Sequence, residues 1–433
     1  MPIAGYGALS ENIRRLKMNV QAMPKSLPVP EPHLTPQDLV ERAASMRTLL
    51  RESQDETDER GHYSDAIQQK FIDAGFYRIL QPKMFGGYEF DYETFFRVMV
   101  EISRGHPSAG WCLTLAASHA PVIASHWSEA AQIEIFGSSG HFASPHRAAP
   151  GGTCLPVEGG YIINGVWPYA SGIPHSTHFL GATLLHTSFP PRILNFVVPQ
   201  GQYTILGDWG GDRTLGMRGS GSNSVKLENV FVPEHMTAFF DALGAKQDLS
   251  DGTPGTRLHG NPMYLGVLMG PYHASLTSPI VGAARAAIDE YRDILLSQNT
   301  FVPPFIKRAF ETDFQVNYGR AIALTDAAEG VLLQGLRKHM DYCQRWAKTG
   351  LQASVEENLR LWGMLQTGAR LACEAIELLF QTAGSTAARK GSRMLRYFGD
   401  AQMYRGHISS QYMTFAKYIG RSNLGLPTGF LDL

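Results

Sequence analysis

The sequence predicts a mostly helical α+β protein in which a helical domain, a small β domain and a four-helix bundle follow one another. Three observations support this order. Apolar residues recur at helical spacing over 36–137, short β-type runs separated by glycines fill 138–236, and long helical segments fill 263–433. With 433 residues, 44% of them hydrophobic and 18% charged, the chain can bury a large core and exceeds the usual size of one domain.

The composition disfavours several classes of partner. A formal net charge of −1, without a basic block, argues against nucleic acid and against an anionic membrane surface. The sequence has no run of apolar residues long enough to span a membrane, and its first twenty residues lack the apolar core of a secretory signal. The four cysteines have no CxxC spacing, which argues against a disulfide framework and a structural zinc. We therefore expect a cytoplasmic protein.

The N-terminal third is predicted to be helical after a proline-rich arm at 1–35. Thr35 and Pro36 are typical of an N-cap and the first residue of a helix. Further helical segments follow, and glycines mark the breaks between them. Residues 107–127 are apolar nearly all round and predict one buried helix, which completes a helical domain at 36–137.

The β domain is predicted at 138–236, where five β-type runs separated by glycine-bearing turns are typical of an antiparallel barrel or sandwich. A linker is predicted at 237–262. The remaining residues, 263–433, contain four long helical segments with short connections, which favour an antiparallel four-helix bundle. The fourth of these segments, 391–420, contains His407.

Familiar site motifs are missing. The sequence contains no GxGxxG between a strand and a helix, no GxxxxGK[ST] and no HExxH. His175 and His178 form an HxxH pair, but it falls at a turn or the start of a strand, where residues three apart point to opposite faces. We therefore expect turn and surface histidines at these two positions and no metal site.

Three polar residues lie where the pattern does not require them. His119 lies in the apolar segment 107–127, His407 lies in the last helical segment, and Ser171 with Gly172 interrupts a β-type run. Taken alone, the histidines are typical of core histidines bonded to backbone carbonyls. The interruption at Ser171 is consistent with a turn, a metal site or the wall of a cofactor pocket.

Two longer segments resemble a known family. The segment "LQPKMFGGYEFDYETFFRVMVEISRGHPSAGW" resembles the helix, Gly-Gly loop and helix in the first domain of the acyl-CoA dehydrogenase superfamily. The segment "VEGGYIINGVWPYASGIPHSTHFLGA" resembles the strand-rich part of that superfamily. The resemblance covers about residues 38–425. It implies an N-terminal helical domain, a central β-barrel domain and a C-terminal four-helix bundle.

Within this fold the sequence is most similar to flavin-dependent monooxygenases, which are the oxygenase components of two-component systems. Examples are 4-hydroxyphenylacetate 3-hydroxylase, dibenzothiophene monooxygenase and amino-sugar N-oxygenases. "AASHA" places His119 on an active-site histidine of the hydroxylases, and "YASGIPH" places Ser171 on the serine that hydrogen-bonds flavin N5. "FGDAQMYRGH" places His407 on their catalytic histidine. The resemblance thus implies three catalytic residues.

The dehydrogenase branch of the superfamily fits less well. Many acyl-CoA dehydrogenases take their catalytic base from a Tyr-Glu-Gly-Thr stretch, and Arg405 stands in the place of that glutamate here. Arginine does not act as a base at neutral pH. Two further departures concern the hydroxylases: Gly399 replaces the arginine of an Arg-Asp pair before Asp400, and His146 replaces a substrate-binding serine.

The resemblance implies a reaction and its participants. Reduced flavin, as FMNH2 or FADH2, would come from a separate NAD(P)H-flavin reductase. It would react with O2 to form a C4a-hydroperoxyflavin, which hydroxylates a small aromatic, phenolic substrate. N- or S-oxygenation, an acyl-CoA dehydrogenase and a non-catalytic scaffold remain alternatives. A homotetramer is expected. The implied substrate-binding residues are Trp111, His119 and His146. The implied cofactor-binding residues are Ser144, Tyr169, Ser171, Gly172, Arg218, Ser220, Ser222, Gly384 and Ser385.

Overall fold

The computed structural model describes residues 26–137, 140–241 and 248–428. Most of the predicted N-terminal arm, the first two residues of the predicted β domain, residues 242–247 of the predicted linker and the last five residues therefore lie outside the described residues. No helix in the described part is long and apolar enough to cross a membrane.

Short helices make up the first domain, and one predicted helix is divided. The described helices are α1 (Pro36–Ser45), α2 (Arg47–Glu52), α3 (Gln54–Arg60), α4 (Asp65–Asp73), α5 (Tyr92–Gly105), α6 (Pro107–Ala117), α7 (Ala120–His126) and α8 (Glu129–Gly137). As predicted, Thr35 caps α1 and Pro36 is its first residue. The predicted helix 107–127 is interrupted between α6 and α7, where His119 precedes α7. Pro121 in the first turn of α7 has no N–H with which to continue the α6 ladder.

The β domain consists of two four-stranded sheets. Its strands are β1 (His146–Arg147), β2 (Thr153–Val157), β3 (Gly160–Trp167), β4 (His178–Leu185), β5 (Arg192–Pro199), β6 (Thr204–Ile205), β7 (Val225–Pro233) and β8 (Thr237–Ala238). The strand orders are β1-β4-β5-β8 and β2-β3-β7-β6, and only the short β1–β4 pair is parallel. Trp167 of one sheet packs against Phe179 and Phe196 of the other, so the two sheets share one apolar core.

The C-terminal region is a helical bundle. Its helices are α9 (Pro254–His259), α10 (Met269–Ser297), α11 (Thr312–Thr349), α12 (Val355–Ala383), α13 (Arg393–Arg405) and α14 (Tyr412–Asn423). The predicted linker contains β8 and α9. Helix α10 packs against α11, α12 and α13 of the bundle and also against α5 and α6, so the two helical domains share a core.

The prediction of one long final helix containing His407 is wrong. The chain leaves the helix after Arg405, makes a short turn at Ile408–Ser410, and starts α14 at Tyr412. His407 caps that turn, because its Nδ1 accepts the backbone N–H of Ser409 at 3.1 Å. A side chain that binds nearby backbone N–H groups competes with continuation of the helix. His407 is thereby held in a loop between two helices.

Candidate functional site

Ser171 lies at the centre of a buried hydrogen-bonded chain of side chains. Its hydroxyl accepts from Trp111 Nε1 at 3.2 Å and lies 2.7 Å from the hydroxyl of Ser222, which lies 2.6 Å from that of Ser220. The strand β3 ends before Ser171, and Gly172 follows with φ of +86°. A Cβ at Gly172 would lie 2.6 Å from the Cys112 carbonyl of α6, so the loop can approach this helix only with glycine there.

Trp111 brings Ser171 and His407 together. While its indole N–H binds Ser171, its ring makes an edge-to-face contact with the imidazole of His407, with ring centroids 5.9 Å apart. The three residues come from α6, the loop after β3 and the break after α13. Two of the predicted catalytic residues and one predicted substrate residue therefore meet where the three domains join.

The tautomer of His407 follows from its contacts. A backbone N–H can only donate, so the Nδ1 that accepts from Ser409 carries no proton and Nε2 carries the ring N–H. Burial, and secondarily the charge of Arg147, lower the pKa of His407 to about 4. At neutral pH His407 is thus an uncharged imidazole that offers one N–H donor at Nε2.

The neutral ring of His119 carries its proton on the other nitrogen, Nδ1. Its Nδ1 donates to the carbonyl of Ser144 at 2.8 Å, so the lone pair lies on Nε2. Burial lowers the pKa of His119 to about 4, although hydrogen bonds to backbone carbonyls oppose this shift. Ser144 was predicted to bind the cofactor; the structure places its hydroxyl on the Pro145 carbonyl and its own carbonyl on His119.

A tyrosine that the sequence did not single out completes the cluster around His119. This residue is Tyr272 of α10. The ring of His119 lies edge to face with the ring of Tyr272, with centroids 5.5 Å apart, and with that of His146 of β1, with centroids 5.7 Å apart. The Tyr272 hydroxyl is hydrogen-bonded to His146 Nδ1, and His146 Nε2 lies 3.2 Å from the side-chain oxygen of Asn195. Nothing in the local pattern of α10 distinguishes Tyr272 from a core tyrosine.

Arg147 is a second residue that sequence reasoning missed. It follows His146 on β1 and therefore points to the other face of the strand. Its charge lowers the pKa of both His407 and His146, and its buried Nε has no hydrogen-bond partner among the described residues. The charge of Arg147 thus acts on both groups of histidines.

Of the other cofactor-binding residues predicted in the β domain, Tyr169 and Arg218 lie outside the hydrogen-bonded chain of Ser171, and Ser220 belongs to it. Tyr169 is exposed, has φ of +59° and contacts the ring of Trp209 edge to face. Arg218, predicted to bind the flavin phosphate, forms an ion pair with Asp212 at 2.6 Å. Its guanidinium is therefore already partnered. Ser220, by contrast, belongs to the hydrogen-bonded chain of Ser171.

Gly384 and Ser385 lie at the end of α12, on a surface that also carries exposed apolar residues. The loop between α10 and α11 binds this end, because Arg308 Nη1 donates to the Ala383 carbonyl at 2.8 Å. The same guanidinium lies 4.9 Å from the ring centre of Phe301, which is 73% exposed.

The expectation that His175 and His178 are surface histidines is wrong. His175 stacks on the ring of Tyr63 with centroids 4.3 Å apart, and His178 is buried beside Phe142. The His175 ring is covered because the loop after β3 folds back onto the helical domain, and His178 is buried at the start of β4. Within the described ranges, no three or more His, Cys, Asp or Glu side chains are arranged to hold a metal ion.

The departure at Gly399 has a structural cause. A Cβ at position 399 would lie 2.7 Å from the carbonyl oxygen of Leu215, so the loop after residue 214 packs directly on the backbone of α13. In this arrangement the N–H of Met217 donates to Asp400 Oδ1 at 2.6 Å. Burial, and secondarily the nearby carboxylate of Asp58, raise the pKa of Asp400 to about 7.

Replacing Asp400 by asparagine is expected to flatten the dependence of stability on pH. Because its pKa is higher in the folded chain than the unfolded value of about 3.9, Asp400 stabilises the fold when protonated, and this stabilisation is lost as the pH rises through 7. The variant should lose about 3 kcal/mol of the difference in unfolding free energy between pH 5 and pH 8. Urea unfolding measures this difference. Asp341→Asn, on the exposed face of α11, is the control, and equal slopes for both variants would contradict the assignment.

The residues around Ser171 fit a flavin ring. A hydroxyl has one proton and two lone pairs. At Ser171 the Trp111 N–H uses one lone pair, and Ser222 uses either the other lone pair or the proton, which leaves one position for a further partner. Flavin N5 carries a proton when reduced and a lone pair when oxidised, so it can complete either arrangement.

Comparisons with known proteins point in the same direction. Models of the N-terminal and C-terminal domains of acyl-CoA dehydrogenase match residues 36–136 and 274–412, which together span more than half of the chain. The oxygenase subunit HsaA of a flavin-dependent monooxygenase from Rhodococcus jostii is 28% identical over 398 residues, covering 90% of this chain and 98% of that protein. The oxygenase component of p-hydroxyphenylacetate 3-hydroxylase from Acinetobacter baumannii is 27% identical over 366 residues, covering 82% and 81%.

A solved structure supports the same assignment. The crystal structure of the 3-HSA hydroxylase from Rhodococcus sp. RHA1 superposes with a TM-score of 0.80 at 26% identity, covering 90% of this chain and 97% of that one. The structure places Ser171, Trp111 and His407 together in this fold. The chain belongs to the acyl-CoA dehydrogenase family by its fold and, within it, to the oxygenase components of flavin-dependent monooxygenases.

Proposed function

We propose that this oxygenase uses reduced flavin and O2 to hydroxylate a small phenolic substrate. The observation that carries the proposal is the contact of Trp111 with both Ser171 and His407. The cluster of His119, His146 and Tyr272 supports it. One side of this arrangement offers hydrogen bonds to a flavin ring. The other offers a neutral imidazole to the hydroxyl group of an aromatic substrate.

Reduced flavin, supplied by a separate reductase, would provide two electrons, so that one oxygen atom of O2 enters the substrate and the other leaves as water. Ser171 would hydrogen-bond N5, held in place by Trp111 and Ser222. His407 would hold its proton at Nε2 and donate a hydrogen bond to the oxygen near the ring. The burial of Ser171, Trp111 and Ser222 keeps bulk water from this side of the site.

His119 would bind the substrate hydroxyl through its Nε2. Because the pKa of His119 is about 4 and that of a free phenol is about 10, the phenolic proton stays on the substrate until the reaction draws electrons from its oxygen. The contacts of His119 thus favour a hydrogen-bond acceptor at Nε2 that assists removal of the phenolic proton during the reaction. The substrate therefore does not need to lose its phenolic proton to His119 before oxygen transfer.

The activity can be tested directly with isotope-labelled oxygen. The purified chain is mixed with a flavin reductase, NADH, and FMN or FAD under 18O2, and a panel of phenols, an aromatic amine and an aryl sulfide is analysed by mass spectrometry. We expect one 18O atom in a hydroxylated phenol. Labelled product from the amine or the sulfide alone would favour N- or S-oxygenation, and the absence of labelled product across the panel would contradict the proposal.

An acyl-CoA dehydrogenase is disfavoured by the contacts of Arg405. Its guanidinium forms an ion pair with Glu377 of α12 at 2.8 Å. Since Glu377 is the carboxylate beside the position of the usual base and is already paired, it is not free to remove a proton. Reduction of the bound flavin by an acyl-CoA would contradict this reasoning.

Replacing Ser171 by alanine is expected to uncouple flavin oxidation from hydroxylation. Loss of one buried hydrogen bond to flavin N5 removes about 1–3 kcal/mol of its stabilisation, so the fraction of reduced flavin that yields product should fall about tenfold. Hydrogen peroxide release, measured beside product, should rise in proportion. Ser176→Ala, which removes a buried hydroxyl bonded to the Gly172 carbonyl, serves as the control. Unchanged coupling in Ser171→Ala would remove Ser171 from this role.

We also propose that the oxygenase is a homotetramer located in the cytoplasm. Phe301, which lies beside Gly384, and Phe305 and Phe310 of the same loop are exposed, which supports burial of this surface by a second copy. From there Ser385 would reach the flavin of that copy. The four free cysteines support a reducing compartment. Light scattering measures the mass in solution, and a monomer would contradict the tetramer.

A further inference from the structure

Three side chains from three different elements form a hydrogen-bonded chain that ends beside the substrate-binding histidine. Asn195 of β5 binds His146 of β1, and His146 binds the hydroxyl of Tyr272 on α10. Asn195 is fully buried, His146 and Tyr272 are partly buried, and the ring of Tyr272 contacts that of His119 edge to face. The orientation of the Asn195 side chain determines which atom donates in each hydrogen bond of this chain.

Asn195 sets the direction. Its Nδ2 donates to the backbone carbonyl of Phe240 at 2.7 Å, and a carbonyl can only accept. The side-chain oxygen of Asn195 therefore faces His146, at 3.2 Å from Nε2. Because an amide oxygen accepts, His146 Nε2 must carry the proton of the ring.

The same direction continues to Tyr272. With its proton on Nε2, neutral His146 has a lone pair on Nδ1, and this lone pair accepts the Tyr272 hydroxyl proton. The Tyr272 oxygen then has only lone pairs left. His119 offers a lone pair as well, since its Nδ1 proton is donated to the Ser144 carbonyl.

We propose that Asn195 determines substrate specificity by orienting Tyr272 through His146, so that Tyr272 Oη and His119 Nε2 present only hydrogen-bond acceptors. Such a site selects aromatic substrates that carry an O–H or N–H donor and rejects aryl ethers and phenolates of similar size. Asn195 is a positioning residue in this scheme because it acts through His146. The inference rests on the proposed function for the location of the substrate.

The charged and titratable groups around His146 agree with a neutral ring. Burial is the main cause that lowers the pKa of His146, and His119, Arg147 of β1 and His126 of α7 lower it further. The bond to Asn195 opposes them. Burial raises the pKa of Tyr272 well above its ordinary value, so its hydroxyl keeps its proton. The direction of the chain is thus preserved over the neutral pH range.

The proposal is tested by binding three fluorinated probes at pH 7. 4-Fluorophenol is a neutral donor, 4-fluoroanisole is the corresponding ether without a donor, and pentafluorophenol is mostly an anion. Affinities are measured by 19F NMR titration, without flavin and with reduced FMN under anaerobic conditions. We expect the neutral phenol to bind about tenfold or more tightly than the ether and the anion, because either of these leaves buried acceptors unpaired.

Two variants separate orientation from packing. In Asn195→Leu the proton of His146 can move to Nδ1, so Tyr272 can turn its own proton to the ligand and the preference for the phenol over the ether should fall at least about threefold. In His146→Gln an amide can still donate to Asn195 and accept from Tyr272, so the preference should persist. Circular dichroism verifies that both variants fold, and Tyr272→Phe, which deletes one acceptor, should also lower the preference.

The outcomes distinguish this inference from the proposed function. Equal binding of phenol and ether by the unaltered protein, or an unchanged preference in either Asn195→Leu or Tyr272→Phe, would overturn the inference even if phenols are hydroxylated. A preserved preference without hydroxylation would overturn the proposed function alone. Failure of every probe to bind in either flavin state would overturn the inference.

Discussion

Replacing His119 by asparagine is expected to lower kcat/KM for phenol hydroxylation by about 10²- to 10⁴-fold, the range attributed to one general acid–base group. Asparagine can keep the hydrogen bond that Nδ1 of His119 donates to the Ser144 carbonyl, so the loop should hold its position. What it removes is the lone pair at Nε2. The loss should therefore lie in the reaction of the phenol, with little change in thermal stability.

The control is another buried histidine. His178 has the same low pKa of about 4, for the same reason of burial, but it lies on β4 beside Phe142. His178→Asn should change stability and leave kcat/KM within about threefold of the unaltered enzyme. Because the pKa of His119 is also about 4, the pH profile of kcat/KM should have no inflection near the ordinary histidine value of about 6.5. Full activity of His119→Asn would contradict the assigned role.

Replacing Gly216 by alanine is expected to destabilise the protein by about 2–4 kcal/mol, which combines overpacking with the loss of a buried hydrogen bond. A Cβ at position 216 would lie 2.2 Å from the carbonyl carbon and oxygen of Gly399 and 2.5 Å from the backbone nitrogen of Asp400. These are backbone atoms of α13, so the loop itself has to move. Movement would break the hydrogen bond from the Met217 N–H to Asp400.

The change at Gly216 should also affect the flavin site. The same loop continues to Ser220 and Ser222, whose hydroxyls hold Ser171, so coupling of flavin oxidation to hydroxylation should fall together with stability. Gly330→Ala on α11, where an added Cβ meets no atom within 4 Å, is the matched control and should stabilise slightly. Urea unfolding measures both variants. Equal stabilities would show that the loop accommodates a side chain at 216.

The helical elements of the fold are readily predicted from apolar periodicity and capping residues, whereas the breaks within them are not predicted by periodicity. Thr35 and Pro36 mark the start of α1 because capping depends on neighbouring residues alone. The breaks at His119 and His407 depend on a proline in α7 and on a side chain that binds a nearby N–H. These signals are present in the sequence, but apolar periodicity continues across them and conceals the break.

The candidate site was predictable where a residue resembles a family motif. Ser171, Trp111 and His407 were identified in this way, and the structure brings them into contact. Tyr272 and Asn195 could not be identified from the sequence, because a tyrosine in a helix and an asparagine in a strand are ordinary residues until their partners are known. The partners lie 126 and 49 residues from His146 along the chain.

The sequence by itself determined the order of the three domains and the family, and it singled out the histidines to which we assign roles in the reaction. These depend on periodicity, on glycine and proline positions and on short motifs, all of which are local. Only the tertiary structure decided the tautomers of His119, His146 and His407, because a ring nitrogen carries a proton according to the partner it meets. It likewise decided that the His175 ring packs on Tyr63 and that His178 is buried, since both contacts depend on segments far apart in the sequence.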